Sequence, residues 1–205
     1  DTRVGHMPGP SQARARTPIP EMIDAGVTVA VVTDGASPKT PFDLFQAARK
    51  AQLVNQLLAK NMFLLPAGKL LEMITIDAAR TLGCDDEIGS LEPGKKADVI
   101  TVDMFQPHLA PNFMPVHRLI YEATAQDVST VIVDGTVLME NRKVLSVNEQ
   151  DVLQAAQVEA ELIINRADLS PHMQLEPSFW GKSRLSFHQQ RWFPEDNDHQ
   201  RPTGM

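Results

Sequence analysis

The chain has 205 residues, 42% of them hydrophobic and 22% charged, enough for one medium domain or one and a half. Its net charge of -7, with no basic cluster, argues against nucleic acid or an anionic membrane surface as a partner. The single cysteine, Cys84, cannot form an internal disulfide, which fits a reducing, cytoplasmic setting, and no apolar run approaches the roughly 20 residues of a membrane span.

The opening Asp1-Thr2-Arg3-Val4-Gly5-His6 is not a signal peptide and lacks an initiating Met, so the expectation is a chain that starts inside a longer gene product, with a processed subunit as the alternative. Thr17-Pro18 predicts a helix start, Thr17 as the cap and Pro18 in the first turn. Met22, Ile23 and Ala25 give that helix its apolar side, and Gly26 ends it. Val27 to Val32 is β-branched and apolar with no alternation, the mark of a strand buried on both faces in a parallel sheet or barrel. It runs directly into Thr33-Asp34-Gly35-Ala36-Ser37. Thr40-Pro41 repeats the helix-start device, and Leu44, Ala47, Ala51, Val54 and Leu58 form one apolar stripe on the helix that follows. A second helix is predicted from Pro66 to Leu82, with Leu70, Ile74 and Ala78 on one face. Helix, strand, helix, helix in this order implies an α/β fold, with a β/α barrel as the leading candidate.

After Gly83 the texture changes. Ile88 to Lys96 is rich in turn residues, Ala97 to Asp103 and Val128 to Val133 read as strands, and Asp134-Gly135 is a hairpin signal before Thr136 to Met139. Ser146 and Glu149 have capping-box spacing, and a helix to about Arg166 should turn Val152, Ala156 and Ile163 inward. From Ser170 the chain is polar with scattered aromatics, and its end from Pro194 is expected to be disordered or a docking tail.

Asp34 is the leading candidate for chemistry. A carboxylate at the carboxyl end of a buried strand sits where β/α barrels gather their catalytic groups, and it could ligand a divalent metal or take a proton from an activated water. The competing reading is an ordinary turn or N-cap residue, because Asp-Gly is common in turns. His6, in a Pro/Gly-rich stretch, is either a loop residue or a contact to substrate or metal. His108, His117, His172, His188 and His199 form no His-x-His or His-x-x-x-His pair, so no complete zinc site can be written from this chain. Ser37 lacks a Gly-x-Ser-x-Gly elbow, and Gly89 and Gly94 do not make a phosphate-binding loop.

Taken together, Pro18 to Ala30 followed by Thr33-Asp34-Gly35-Ala36-Ser37 resembles the last barrel strand of the amidohydrolases. The similarity is to their aminohydrolase branch of methylthioadenosine/S-adenosylhomocysteine deaminases, guanine deaminases and triazine chlorohydrolases. Thr75 to Gly83 resembles the helix that follows in that family. Gly89-Ser90-Leu91-Glu92-Pro93-Gly94-Lys95-Lys96-Ala97-Asp98 resembles the return into its small β-domain, and Val128 to Gly135 its closing strands. The resemblance implies the C-terminal part of a (β/α)8 metal-dependent hydrolase barrel with part of a composite β-sandwich. Residues 1–84 would end the barrel, 85–147 would belong to the sandwich, 148–168 to a C-terminal helix and 169–205 to a polar tail.

It also implies one divalent metal, zinc or iron. Asp34 would be both metal ligand and proton shuttle, and the other ligands would lie upstream of Asp1. His6, Ser11 and Ser37 would line the substrate pocket, although Gly9-Pro10-Ser11 sets the serine one place later than in the family and Pro38-Lys39-Thr40 replaces its paired asparagines. The implied activity is hydrolysis of a non-peptide carbon–nitrogen bond in a small molecule, deaminating a purine, pyrimidine or related N-heterocycle. The alternatives are a C–Cl, cyclic amide or amidine hydrolase, or a non-catalytic partner subunit. A homo-oligomeric parent is implied as well, and this chain alone is expected to be inactive.

Overall fold

The computed structural model describes residues 2–8, 17–35 and 42–174. The other positions, among them Ser11, Ser37, Thr40-Pro41 and the tail beyond Gln174, lie outside the described residues. The chain divides into two compact units, Asp1–Glu149 and Gln150–Met205.

In the first unit, β1 (Arg3–His6) pairs in parallel with β2 (Thr28–Val31), His6 opposite Val31. Parallel neighbours need a crossover, and α1 (Ile19–Asp24) lies in it. The helix closes as expected: the Gly26 N–H donates to the Ile23 carbonyl and the Val27 N–H to the Met22 carbonyl, both at 2.9 Å, a Schellman pattern. Its start differs from the expectation. Thr17 does not cap it; Pro18 holds the cap position with no side-chain bond, and Pro20 sits in the first turn. The Thr17 carbonyl instead accepts the Ile19 N–H at 2.8 Å, and the helix begins around the later proline, whose missing N–H is not needed there.

Val29, Ala30 and Val31 are each 1% exposed, which bears out a strand buried on both faces. Val29 and Val31 enter a core with Ile19, Phe45, Ala48, Leu70 and Met73. α2 (Leu44–Ala59) is capped by Asp43, one carboxylate oxygen accepting the Gln46 N–H at 2.9 Å and the other the Ala125 N–H at 3.1 Å. The helix is rotated from the expected stripe: Leu44 and Leu58 are 42% and 57% exposed, whereas Phe45, Ala47, Ala48, Ala51, Asn55 and Gln56 are buried. Small alanines let the helix approach β2 closely. Gln56 earns its burial by donating to the Met62 and Leu64 carbonyls at 2.8 and 3.1 Å, which ties down the returning loop.

The helix expected over 66–82 is two helices, α3 (Ala67–Met73) and α4 (Ile76–Leu82). Three β-branched residues in a row, Ile74-Thr75-Ile76, weaken the helix there, and the Thr75 hydroxyl bonds the Leu71 carbonyl at 2.7 Å. Leu70 is fully buried, but Ile74 and Ala78 are only half-buried. Across the break the Asp77 carboxylate receives Lys69 at 2.7 Å, and within α4 it receives Arg80 at 2.9 Å. Burial works against the Lys69 ammonium, yet its bonds to Asp77 and Glu72 outweigh that and raise its pKa above the ordinary lysine value. α5 (Pro115–Tyr121) is tied to α2 by Arg49, whose Nη1 donates to the Ile120 and Ala123 carbonyls at 2.9 and 2.7 Å.

A second sheet is antiparallel, in the order β3 (Val99–Val102), β4 (Val128–Val133), β5 (Thr136–Glu140), β6 (Lys143–Val144). Asp134 and Gly135, with φ of 47° and 78°, make the expected two-residue hairpin. Asn141 and Arg142, with φ of 48° and 63°, make a second one. In the second unit, α6 (Glu149–Arg166) buries none of its residues, and Val152 and Ile163 are 53% and 56% exposed. The inward turn expected for Val152, Ala156 and Ile163 is therefore not seen: periodicity marks an apolar face but not what covers it.

Candidate functional site

Parallel pairing brings the carboxyl ends of β1 and β2 to one edge. His6 ends β1, and β2 leads through Val32 and Thr33 to Asp34. The Val32 N–H donates to the His6 carbonyl at 2.9 Å, so the ladder runs one residue past β2 before the chain turns. Asp34 turns it with a φ of 61°, a left-handed conformation that Asp tolerates better than most side chains. Its Oδ1 accepts the adjacent Gly35 N–H at 2.7 Å, and the side chain is exposed. Asp34 caps no helix among the described residues; that task at the start of α2 falls to Asp43. The Asp34 carboxylate thus keeps one oxygen without a protein partner among the described residues, at the edge where both strands end.

His6 is half-buried, and burial holds its imidazole below the ordinary histidine range, favouring the neutral ring. Its register partner is Val31, so pleating puts both side chains on one face of the sheet, the face where Val29 and Val31 meet the helical core. His6 and Asp34 therefore share an edge, while the imidazole leaves the sheet on its helix-covered side. A cleft of about 10 Å³, room for one water, lies where Met7, Pro8 and Thr33 meet Asp43, Gln46 and Lys50. Ser11 and Ser37 lie outside the described residues.

Among the described residues no group of three or more His, Cys, Asp and Glu side chains could hold a metal ion. A catalytic zinc needs about three protein ligands, so Asp34 fits as one ligand of such a set and not as the whole of it. No helix of the described residues is long and apolar enough to cross a membrane.

One polar cluster was not expected. Asp127, its side chain 7% exposed, accepts the Thr124 N–H at 2.8 Å and the Thr124 hydroxyl at 3.1 Å, and lies 3.1 Å from His108 Nε2. Burial pushes its carboxyl up, but the Thr124 N–H, the His108 ring and the Thr124 hydroxyl together hold it below the usual carboxylate range. A cavity of about 520 Å³ opens beside it, lined by Asp103, Gln106, His108, Ser129 and Arg142. The Thr124-x-x-Asp127 spacing, a capping box, was the signal available for half of this cluster; nothing local linked it to His108.

The amidohydrolase family profile matches residues 12–138. A 5′-deoxyadenosine deaminase from Methanosarcina acetivorans is 40% identical over 170 residues, 82% of this chain and 39% of that protein. A 5-methylthioadenosine/S-adenosylhomocysteine deaminase from Desulforudis audaxviator is 41% identical over 163 residues, 78% of this chain and 38% of that protein. Among solved structures, a zinc-bound adenosine deaminase from Xanthomonas campestris superposes with a TM-score of 0.74 at 28% identity, covering 80% of this chain and 38% of that one. Atrazine chlorohydrolase from Arthrobacter aurescens TC1, complexed with zinc, superposes with a TM-score of 0.68 at 27% identity, covering 76% of this chain and 35% of that one. The chain spans a little under two fifths of the length of the curated relatives it matches.

Proposed function

The chain belongs to the amidohydrolase family, and from that premise we propose that it is the Asp34-bearing part of a deaminase that removes the amino group of an adenine nucleoside. The observation that carries this reading is the Asp34 carboxylate, turned by a left-handed residue at the shared carboxyl edge of two parallel strands, with one oxygen unengaged among the described residues. In this reading β1 and β2 are the last two strands of a (β/α)8 barrel and residues 1–84 end it. Residues 85–147 belong to a composite sandwich, 148–168 form the C-terminal helix, and 169–205 are a polar tail. The whole protein would act on a small molecule in the cytoplasm as a homo-oligomer.

A bound divalent ion, zinc or iron, would make a water acidic enough to attack near neutral pH. Asp34 would be one of its ligands, the others coming from residues beyond those described. The Asp34 carboxylate would take the proton of the attacking water and return it to the departing amine, a single carboxylate serving both transfers. Ser11 and Ser37 would line the pocket, while the His6 imidazole, neutral and on the helix-covered side of its strand, would support the same edge from behind. Relatives about 40% identical are deaminases of 5′-deoxyadenosine and of 5-methylthioadenosine or S-adenosylhomocysteine, which favours adenine nucleosides altered at the 5′ position. The likeness to a chlorohydrolase stands at 27% identity, so C–Cl hydrolysis is the weaker reading.

The test is Asp34→Ala in a protein that joins this chain to the rest of the barrel. Bound metal, measured by plasma mass spectrometry, should fall to a trace, and deamination, followed by the ultraviolet change from adenine to hypoxanthine, should drop by about 100-fold or more. Undiminished turnover with metal still bound would discard the assignment.

A further inference from the structure

Resting on the homo-oligomer part of the proposed function, we infer that the outer side of α2 and the Met62-Phe63 turn beyond it form the surface through which two copies of the whole protein associate. The turn is held where a free loop would not stay. The Lys60 N–H bonds the Leu57 carbonyl at 3.3 Å and the Asn61 N–H the Gln56 carbonyl at 3.0 Å, so the chain leaves α2 in a fixed direction. Lys60 and Leu65 both take left-handed backbone, each with a φ of 53°. That conformation is costly for a leucine, and the more so before a proline, here Pro66. Gln52 Nε2 donates to the Leu65 carbonyl at 2.8 Å, Gln56 Nε2 donates to the Met62 and Leu64 carbonyls, and Asn61 Oδ1 accepts the Phe63 N–H at 3.0 Å.

The outcome is a turn that buries Leu65 and holds Phe63, 91% exposed, and Met62, 69% exposed, out into solvent. Strained backbone persists only where its surroundings over-determine it, and an apolar anchor that is already ordered gives up little entropy on contact. Leu53 and Leu57, one turn apart and both exposed, extend this surface along α2 on the side opposite the buried Ala48, Ala51 and Asn55. The four residues leave roughly 600 Å² open to solvent, the upper end of the about 300–600 Å² of an ordinary monomer's largest apolar patch and most of the about 800 Å² that each partner buries in a standard interface.

Charge points to a second copy as the occupant. The chain carries a net charge of -7, so its copies repel one another over most of their surfaces. Residues 44–71 contain no Asp or Glu and four cations. Arg49 is engaged by the Ile120 and Ala123 carbonyls, Lys69 by Asp77 and Glu72, and Lys50 lines the small cleft beside Thr33. That leaves Lys60 next to the turn, too little charge to recruit an acidic partner and little enough for two copies to meet. A patch that packs on its own copy about a two-fold axis closes on itself, so the product is a dimer.

The experiment uses the same full-length protein, with self-association followed by sedimentation velocity over a range of concentrations. Phe63→Asp should weaken the dimer by about 30-fold or more and leave the far-ultraviolet spectrum unchanged. Phe105→Asp, which alters an equally exposed ring just after β3, should shift the dimer by less than about threefold. A photoreactive benzoylphenylalanine at position 63 keeps the inference open to refutation should the aspartate variant fail to fold. On irradiation of mixed light and heavy isotope-labelled protein it should give a band of twice the chain mass that contains both labels. A monomeric wild type, a dimer indifferent to Phe63→Asp, or a crosslink that stays within one polypeptide, which would mean that upstream chain covers the patch, overturns the interface. Deamination of 5′-deoxyadenosine is measured on the same samples. A dimer that forms through Phe63 but turns over no nucleoside overturns the deaminase reading alone, and an active monomer overturns the interface alone.

Discussion

Gly89 and Gly94 lie in one loop with nearly the same backbone, φ of 91° and 96°, yet only one of them is pressed against a helix. A Cβ on Gly89 would stand 2.6 Å from Ala79 Cβ, 3.1 Å from Ile76 Cα and 3.3 Å from Ile76 Cδ1; a Cβ on Gly94 would meet nothing within 4 Å. Left-handed backbone disfavours alanine by about 1–2 kcal/mol at either site. Ordinary carbon contacts are about 3.5–4.0 Å, so the Gly89→Ala methyl is roughly 1 Å too close. The atoms it meets belong to α4, and the two nearest, Ala79 Cβ and Ile76 Cα, are fixed to the helix backbone with Ala79 2% exposed, so only the more distant Ile76 Cδ1 can yield. Overpacking of that kind adds about 1–3 kcal/mol. Gly89→Ala should therefore destabilise by about 2–5 kcal/mol and Gly94→Ala by only about 1–2 kcal/mol. At about 2–4 °C per kcal/mol for a chain of this size, Gly89→Ala should lower the melting temperature by roughly 5–15 °C. The assay is thermal and urea unfolding of both variants by circular dichroism. A Gly94→Ala protein as damaged as Gly89→Ala, or more so, would show that loop and helix are not in the close contact described.

Two further outcomes are expected. Arg49→Met keeps the aliphatic stem of the side chain but strips the donors from the Ile120 and Ala123 carbonyls, and should lower stability by about 2–4 kcal/mol; an unmoved urea midpoint would mean that water already serves those carbonyls. The Asp127 carboxyl titrates below its unfolded value near 4, so its contribution is present above about pH 4 and is lost as the pH falls through the folded value. Asp127→Asn should flatten that part of the acid dependence, read as urea midpoints between about pH 6 and pH 3, and an unaltered slope would contradict the assignment.

What could be read from residue order depended on how local the cause was. Val27 to Val32 announces a buried strand because no polar residue interrupts it, and Asp34 follows as its terminus whatever else the chain does. Asp134-Gly135 specifies its own turn. The burial of Gln56 was hidden, because it rests on carbonyls of the 62–64 loop rather than on α2 itself. The break at Thr75 could have been suspected from three β-branched residues in a row, but the apolar period ran through it. The side on which His6 leaves its sheet is a matter of register, set by pairing with a strand about 25 residues away. Asn141-Arg142 turns as tightly as Asp134-Gly135 without the glycine that would have marked it. His108 and Asp127 meet only after the intervening chain has folded.

The two sheets also differ in when they can form. Two-residue turns close β4 to β5 and β5 to β6, so those pairings need only the neighbouring residues and can arise within about 1–10 μs. The β1–β2 pair has no such shortcut; a crossover must be threaded and its loop entropy surrendered before the first ladder bond appears. The late-forming pair is the one that presents Asp34. A preparation can therefore show the β-signal of the meander while its reactive edge is still unassembled, and spectroscopic strand content is no measure of competent sites.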